Sequence, residues 1–274
     1  MKDLHVKSVL IFVTLSVLIY MSYQWIVYSH FPTNKKITIL AFGDSLTEGN
    51  TRYQNRRAWF PYTLQLKKRI SKDFPNMEVT IVNRGIAGDK AANMADRLKK
   101  ALKERKFDIA VILAGTNDYI QMVRDNQDTW ARQDLKVAIS ATFSAQKLLR
   151  INRTSNVIMR DVLLLHKHCH YNNVKTVAMT IPEIDFEQNN DLRVYFNHRN
   201  KINEKLKFYA QRFSKQTIFV DLANEMPLLN LTPEKRKKYW ADGLHFTRKG
   251  YGKVADIIYK KIKNTIKEIS YAKR

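Results

Sequence analysis

Ser45, Asp242 and His245 are the side chains of this 274-residue sequence that could act together on a carbonyl. A serine hydroxyl is a weak nucleophile until a neighbouring base takes its proton. Imidazole does so near neutral pH, and a carboxylate can hold the ring in the right tautomer. Ser45 stands in Gly43-Asp44-Ser45, directly after the apolar run Ile37–Phe42. Asp242 and His245 lie three residues apart in Trp240-Ala241-Asp242-Gly243-Leu244-His245, so a single turn can present both. Two further blocks each follow an apolar, strand-like run. Asn117, in Gly115-Thr116-Asn117-Asp118, carries an amide and no charge, and Gly88, in Asn83-Arg84-Gly85-Ile86-Ala87-Gly88-Asp89, allows close approach of its backbone. Each block alone also reads as ordinary structure. Asp44 and Ser45 could cap a strand-turn-helix, and Asp242–His245 could be a loop before a helix capped by Thr247.

The elements around these blocks alternate in type. Strand-like runs occur at Ile37–Phe42, Val79–Val82, Ile109–Leu113, Val174–Thr180 and Thr217–Asp221. Amphipathic helical spacing covers Ala58–Lys72, Ala91–Arg105, Val157–Tyr171, Leu192–Phe213 and Lys249–Ile269. Apolar strands alternating with helices predict an α/β fold of three layers, αβα, around a five-stranded parallel sheet. The order 2-1-3-4-5, flavodoxin-like, would bring Ser45 and Asn117 to one crevice between the first and third strands. More than fifty residues separate Asp118 from Val174, beyond the ~30 of a complete βαβ unit. The surplus, about 119–152, predicts one or two extra helices near the crevice mouth.

Together and in this order the four blocks resemble the GDSL or SGNH hydrolase superfamily, over about residues 36–268. The G-x-S-x-G elbow of α/β-hydrolases is absent. The resemblance implies a nucleophile at Ser45, a base at His245 and its partner acid at Asp242. It also implies an oxyanion hole made by the backbone N–H groups of Ser45 and Gly88 and the side chain of Asn117. The expected chemistry is hydrolysis of carboxylic esters, acyl or acetyl, through an acyl-enzyme. A carbohydrate O-acetyl esterase, an acyltransferase and a non-catalytic lipid- or glycan-binding relative are the alternatives. No cofactor and no metal is expected. Asp44 and Asp118 read as braces of their loops.

Residues 8–28, after a short tail at 1–7, contain no charge and end among Tyr20, Tyr23, Trp25 and Tyr28. A helix of this length spans roughly 30 Å, one hydrocarbon core, with its aromatics at the interface. The expectation is an uncleaved signal-anchor, then a linker at 29–36 and a hydrolase domain at 37–274 outside the cytosol. A cleaved signal peptide is the alternative, but no small-residue cleavage site follows the run. The formal charge of +23 favours an anionic partner. With an anchor and no recognised nucleic-acid module, a lipid surface is the simpler expectation and nucleic acid the less favoured one. His166 and His170, spaced i and i+4, could share a metal, but no acidic partner is identifiable.

Overall fold

The computed structural model describes residues 14–23, 35–53, 56–131, 141–188 and 193–272. Helix α1 comprises residues 14–23 and is exposed throughout. The rest of the expected span, 8–13 and 24–28, lies outside the described residues. Among those described, no helix is long and apolar enough to cross a membrane.

The domain begins at β1 (Lys35–Gly43), so the last two residues of the expected linker belong to a strand. There follow α2 (Ser45–Glu48), a ribbon of β2 (Asn50–Tyr53) and β3 (Arg56–Trp59), α3 (Tyr62–Asp73), β4 (Met77–Gly85), α4 (Ala91–Glu104) and β5 (Ile109–Leu113). Next come α5 (Thr116–Ala131), α6 (Ala141–Tyr171), β6 (Lys175–Met179), a 3-10 turn at Asp185–Gln188 and α7 (Arg193–Arg212). The chain ends with β7 (Thr217–Val220), α8 (Leu222–Glu225), α9 (Pro233–Tyr239) and α10 (Arg248–Ala272).

The five-stranded sheet has the order β4-β1-β5-β6-β7 with every ladder parallel, the 2-1-3-4-5 arrangement expected once the ribbon is set aside. Alternation along the central strands sorts the core into two halves. Ile37, Ile39 and Ala41 of β1 face α3 and α10, with Leu66, Ile70, Ile258 and Ile262. Leu40 and Phe42 face the other way, towards α4, α5, α6 and α7, with Met94, Met122, Val162 and Leu206. Both faces are covered, and for that reason the central strands are apolar without interruption.

Two departures from expectation bear on the site. The segment predicted to start a helix at Ala58 instead forms the antiparallel ribbon, and α3 begins only at Tyr62, behind Pro61. Trp59 is exposed while Tyr62, Leu66 and Ile70 are buried, so the helical spacing holds from Tyr62 onward. Of the surplus between Asp118 and Val174, residues 119–131 belong to α5 and 141–171 to α6, which begins sixteen residues before the expected Val157, while 132–140 lie outside the described residues.

Candidate active site

All four blocks meet at the carboxyl end of the sheet, where β1 parts from β5. Asp44 leaves β1 and caps α2, its Oδ1 accepting the Leu46 N–H at 3.0 Å. Ser45 is the first residue of that turn, so its own N–H has no helical acceptor. The far end of α2 is clamped to β4: Asn83 Nδ2 donates to Thr47 O at 2.8 Å, and Asn83 Oδ1 accepts the Gly85 N–H at 2.9 Å. The two backbones approach so closely that a Cβ on Gly85 would come within 2.1 Å of Glu48 N.

His245 and Asp242 share a small loop closed by an isolated bridge between Trp240 and Phe246. Those two rings, buried and 4.5 Å apart at their centroids, fasten the loop to the core, and Trp240 Nε1 donates to Pro227 O. Within it Asp242 Oδ1 accepts the backbone N–H of Leu244 at 2.8 Å and of His245 at 2.6 Å. Asp242 Oδ2 lies 3.0 Å from His245 Nδ1, and His245 Nε2 lies 3.0 Å from Ser45 Oγ. Partial burial pulls the Asp242 carboxyl upward. The hydrogen bonds from the His245 ring and backbone and from Leu244 outweigh it and hold the group at about 2. An anionic Asp242 fits Nδ1–H as the donor, which leaves Nε2 to accept from the serine hydroxyl.

Gly88 and Asn117 stand across the crevice. Gly88 adopts φ +80°, and a Cβ there would meet no protein atom within 4 Å, so its backbone conformation is a reason for glycine beyond close approach. Asn117 Nδ2 donates one hydrogen to Asp89 O at 3.0 Å, which fixes the amide and leaves a second N–H. Asp118, the neighbouring carboxylate, accepts the Ala91 N–H at 2.9 Å and so ties the start of α4 to the start of α5.

One contributor had escaped notice in the sequence. Arg97 of α4 donates to Asp89 Oδ2 at 2.7 Å, to Arg84 O at 2.6 Å and to Gly43 O at 2.8 Å. Its guanidinium also sits 4.0 Å from the centroid of the Phe42 ring. The arginine thereby joins the ends of β1 and β4 to the Gly88–Asp89 loop. No local signal singles it out, because α4 carries Lys99, Lys100 and Lys103 besides.

Behind the serine, burial pushes the Asp44 carboxyl up to about 7. The Leu46 N–H, the Thr116 hydroxyl and the charge of His245 pull the other way, and nearby Asp118 adds to the rise. Further along, the 3-10 turn leans on the loop that carries Asp242 and His245 through Asp185 N–H to Gly243 O at 3.0 Å. That turn is held by a buried ion pair, Glu187 with Arg199 of α7, at 2.7 and 3.0 Å.

The histidine run at 166–170 lies elsewhere, near the opposite end of β6 and β7. His170 Nε2 reaches the hydroxyls of Thr176 and Thr217, and its Nδ1 reaches Tyr209 OH. His166 is fully buried, and that burial brings it down to about 3. Among the described residues no group of three His, Cys, Asp or Glu side chains could hold a metal ion.

Comparison with known proteins agrees with this arrangement. The fold is similar to that of TesA, with 16% identity, a TM-score of 0.55, and 83% of this chain and 98% of that one covered. It is also similar to a variant of an acetyl xylan esterase from Geobacillus stearothermophilus, with 18% identity and a TM-score of 0.54 over 85% and 97% of the two chains. A putative acylhydrolase from Bacteroides fragilis matches with 17% identity and a TM-score of 0.52 over 85% and 92%. At such identities the likeness speaks for the fold alone, and no curated protein matches the sequence. A profile of one family does match, over residues 41–253, from near the end of β1 through the loop that carries His245 and into α10. On that match the chain belongs to the GDSL-like lipase/acylhydrolase family.

Proposed function

We propose that this chain is a membrane-anchored serine esterase that cleaves carboxylic esters through an acyl-enzyme. The reading is carried by the unbroken relay from Ser45 Oγ to His245 Nε2 and from His245 Nδ1 to Asp242, 3.0 Å at each step. His245 takes the hydroxyl proton as Ser45 Oγ attacks the carbonyl carbon. Asp242, already anionic, stabilises the imidazolium that results. The tetrahedral oxyanion is received by the N–H groups of Ser45 and Gly88 and the second amide hydrogen of Asn117. The intermediate collapses, the alcohol leaves with the proton from His245, and the serine keeps the acyl group. Water, activated by the same imidazole, then releases the acid and restores the hydroxyl. The uncharged run at 8–28 supports an anchor that keeps the domain at a membrane, on its extracytoplasmic side.

Ser45→Ala is the direct test. The folded variant is expected to lose both ester hydrolysis and labelling by a fluorophosphonate probe. Labelling retained in a folded variant refutes the nucleophile. Nitrophenyl esters of increasing acyl length, run beside an acetylated sugar, separate acyl-lipid from O-acetyl substrates. For the anchor, a mature chain whose N-terminus lies beyond Tyr28 by mass spectrometry overturns the reading.

A further inference from the structure

The ribbon β2–β3 plays no part in the relay, yet it leaves the nucleophile's own turn: Gly49 ends α2 and Asn50 begins β2. Its base is fixed. Phe60 N–H donates to Gly49 O at 2.8 Å, the Tyr251 hydroxyl donates to Asn50 O at 2.7 Å, and Thr51 is buried. In its register Asn50 faces Trp59 and Arg52 faces Arg57, so these four share one side of the ribbon. Two arginines directly opposite repel each other. Both are exposed, and among the described residues neither has a carboxylate within ion-pair distance. The Arg57 guanidinium lies 5.4 Å from the centroid of Trp59, itself 52% exposed. Arg248 lies 5.4 Å from the neighbouring Phe60 ring.

Exposed apolar side chains lie on the same end of the domain. Ile86 follows β4, with its N–H on Gly43 O, and Leu64 sits in the first turn of α3, which starts at the carboxyl end of the sheet. A soluble polyanion could neutralise the arginines but would leave these apolar groups in water. A bilayer interface takes both, guanidinium against phosphate and indole at headgroup depth.

We propose that the β2–β3 ribbon docks the mouth of the active site onto an anionic phospholipid surface through Arg52, Arg57 and Trp59. This deepens the reading of an anchored esterase and rests on it: the anchor keeps the domain near the membrane, and the ribbon turns Ser45 towards it.

The test uses the full chain reconstituted into vesicles of phosphatidylcholine, alone or equimolar with phosphatidylglycerol. Docking is read as the tryptophan emission lost in Trp59→Phe, with and without brominated lipid as quencher. The wild type is expected to show quenching of Trp59 in the anionic vesicles and little in the neutral ones. A basic group near an anionic surface favours docking about fivefold, so Arg52→Gln/Arg57→Gln should lower the ratio of docked to undocked protein about 25-fold. The same variant should hydrolyse a water-soluble nitrophenyl ester as the wild type does and a vesicle-borne one more slowly. Equal quenching in wild type and variant overturns the proposal. So does a Trp59 signal that responds to dextran sulfate but not to vesicles. If the wild type hydrolyses no ester at all, the esterase reading fails, and the quenching still reports whether the ribbon docks.

Discussion

Asp44 permits a quantitative test of how the turn that bears Ser45 is built. Burial holds its carboxyl at about 7, against 3.8 for an exposed aspartate. Between those two values the folded state keeps a proton that the unfolded chain releases. The stabilisation from the neutral form is therefore complete below about 4 and is lost as pH rises through about 7. That gap, at about 1.36 kcal/mol per pH unit, amounts to about 4 kcal/mol in this fully buried group. Asp44→Asn keeps an acceptor for the Leu46 N–H and cannot ionise. Its stability relative to the wild type should rise by about 4 kcal/mol between pH 4 and pH 8. Urea unfolding followed by tryptophan emission, with Trp240 buried at the base of the loop that carries His245, measures this at each pH. The comparison must be between the two proteins, because His166 acts in the opposite sense. Held at about 3 by burial, it contributes stability that is present above 6.5 and is lost as pH falls. A difference between variant and wild type that stays level across the range refutes the argument, and would mean that Asp44 is ionised at neutral pH.

Asn117→Ala should lower kcat about 10²- to 10³-fold with little change in KM, because its free N–H strengthens only as the oxyanion forms; steady-state kinetics on a soluble ester reads the split. In Gly85→Ala the new methyl meets the backbone of Glu48 and Thr47, so the turn bearing Ser45 must move. The expected result is roughly 1–3 kcal/mol lost in stability and on the order of 10²-fold in activity, from unfolding and turnover on one preparation. Arg199→Met leaves the buried Glu187 carboxyl without its partner, and should cost about 3–5 kcal/mol, whereas Arg199→Met/Glu187→Leu should recover most of it in the same denaturation assay.

The sheet was legible in the sequence because its central strands are buried on both faces and so appear as continuous apolar runs, Ile109–Leu113 above all. The same burial made their order a matter of ordinary α/β connection. The ribbon was not legible. Arg52, Arg56 and Arg57 point into water, leaving no apolar alternation, while Trp59 falls in helical phase with Tyr62 and Leu66 by accident. Pro61 carried the one local signal, since a helix commonly starts just behind a proline. At the site, the residue types of the relay were readable, but the locks on them were not. That Arg97 would fold inward among solvent-facing lysines depends on two backbone carbonyls and one carboxylate from other segments. The upward shift of the Asp44 carboxyl likewise arises chiefly from how deeply the packed elements enclose it.

The Ser45–His245 hydrogen bond joins residues 200 positions apart, and this separation sets a clock on synthesis. At about 5–20 residues per second a ribosome needs roughly 10–40 s to travel from the nucleophile to its base. Throughout that interval the emerging chain carries Ser45, and later Gly88 and Asn117, without the imidazole of His245. Nor does reaching His245 finish the task, since α10 must still bring Ile257, Ile258, Ile262 and Ile266 against β1 and α3 to close one half of the core. On the proposed mechanism the nascent chain is inert towards esters until α10 is in place. A chain truncated before Ile257 is expected to keep Ser45, Asn117, Asp242 and His245 and to lose the α10 side chains that close this half of the core.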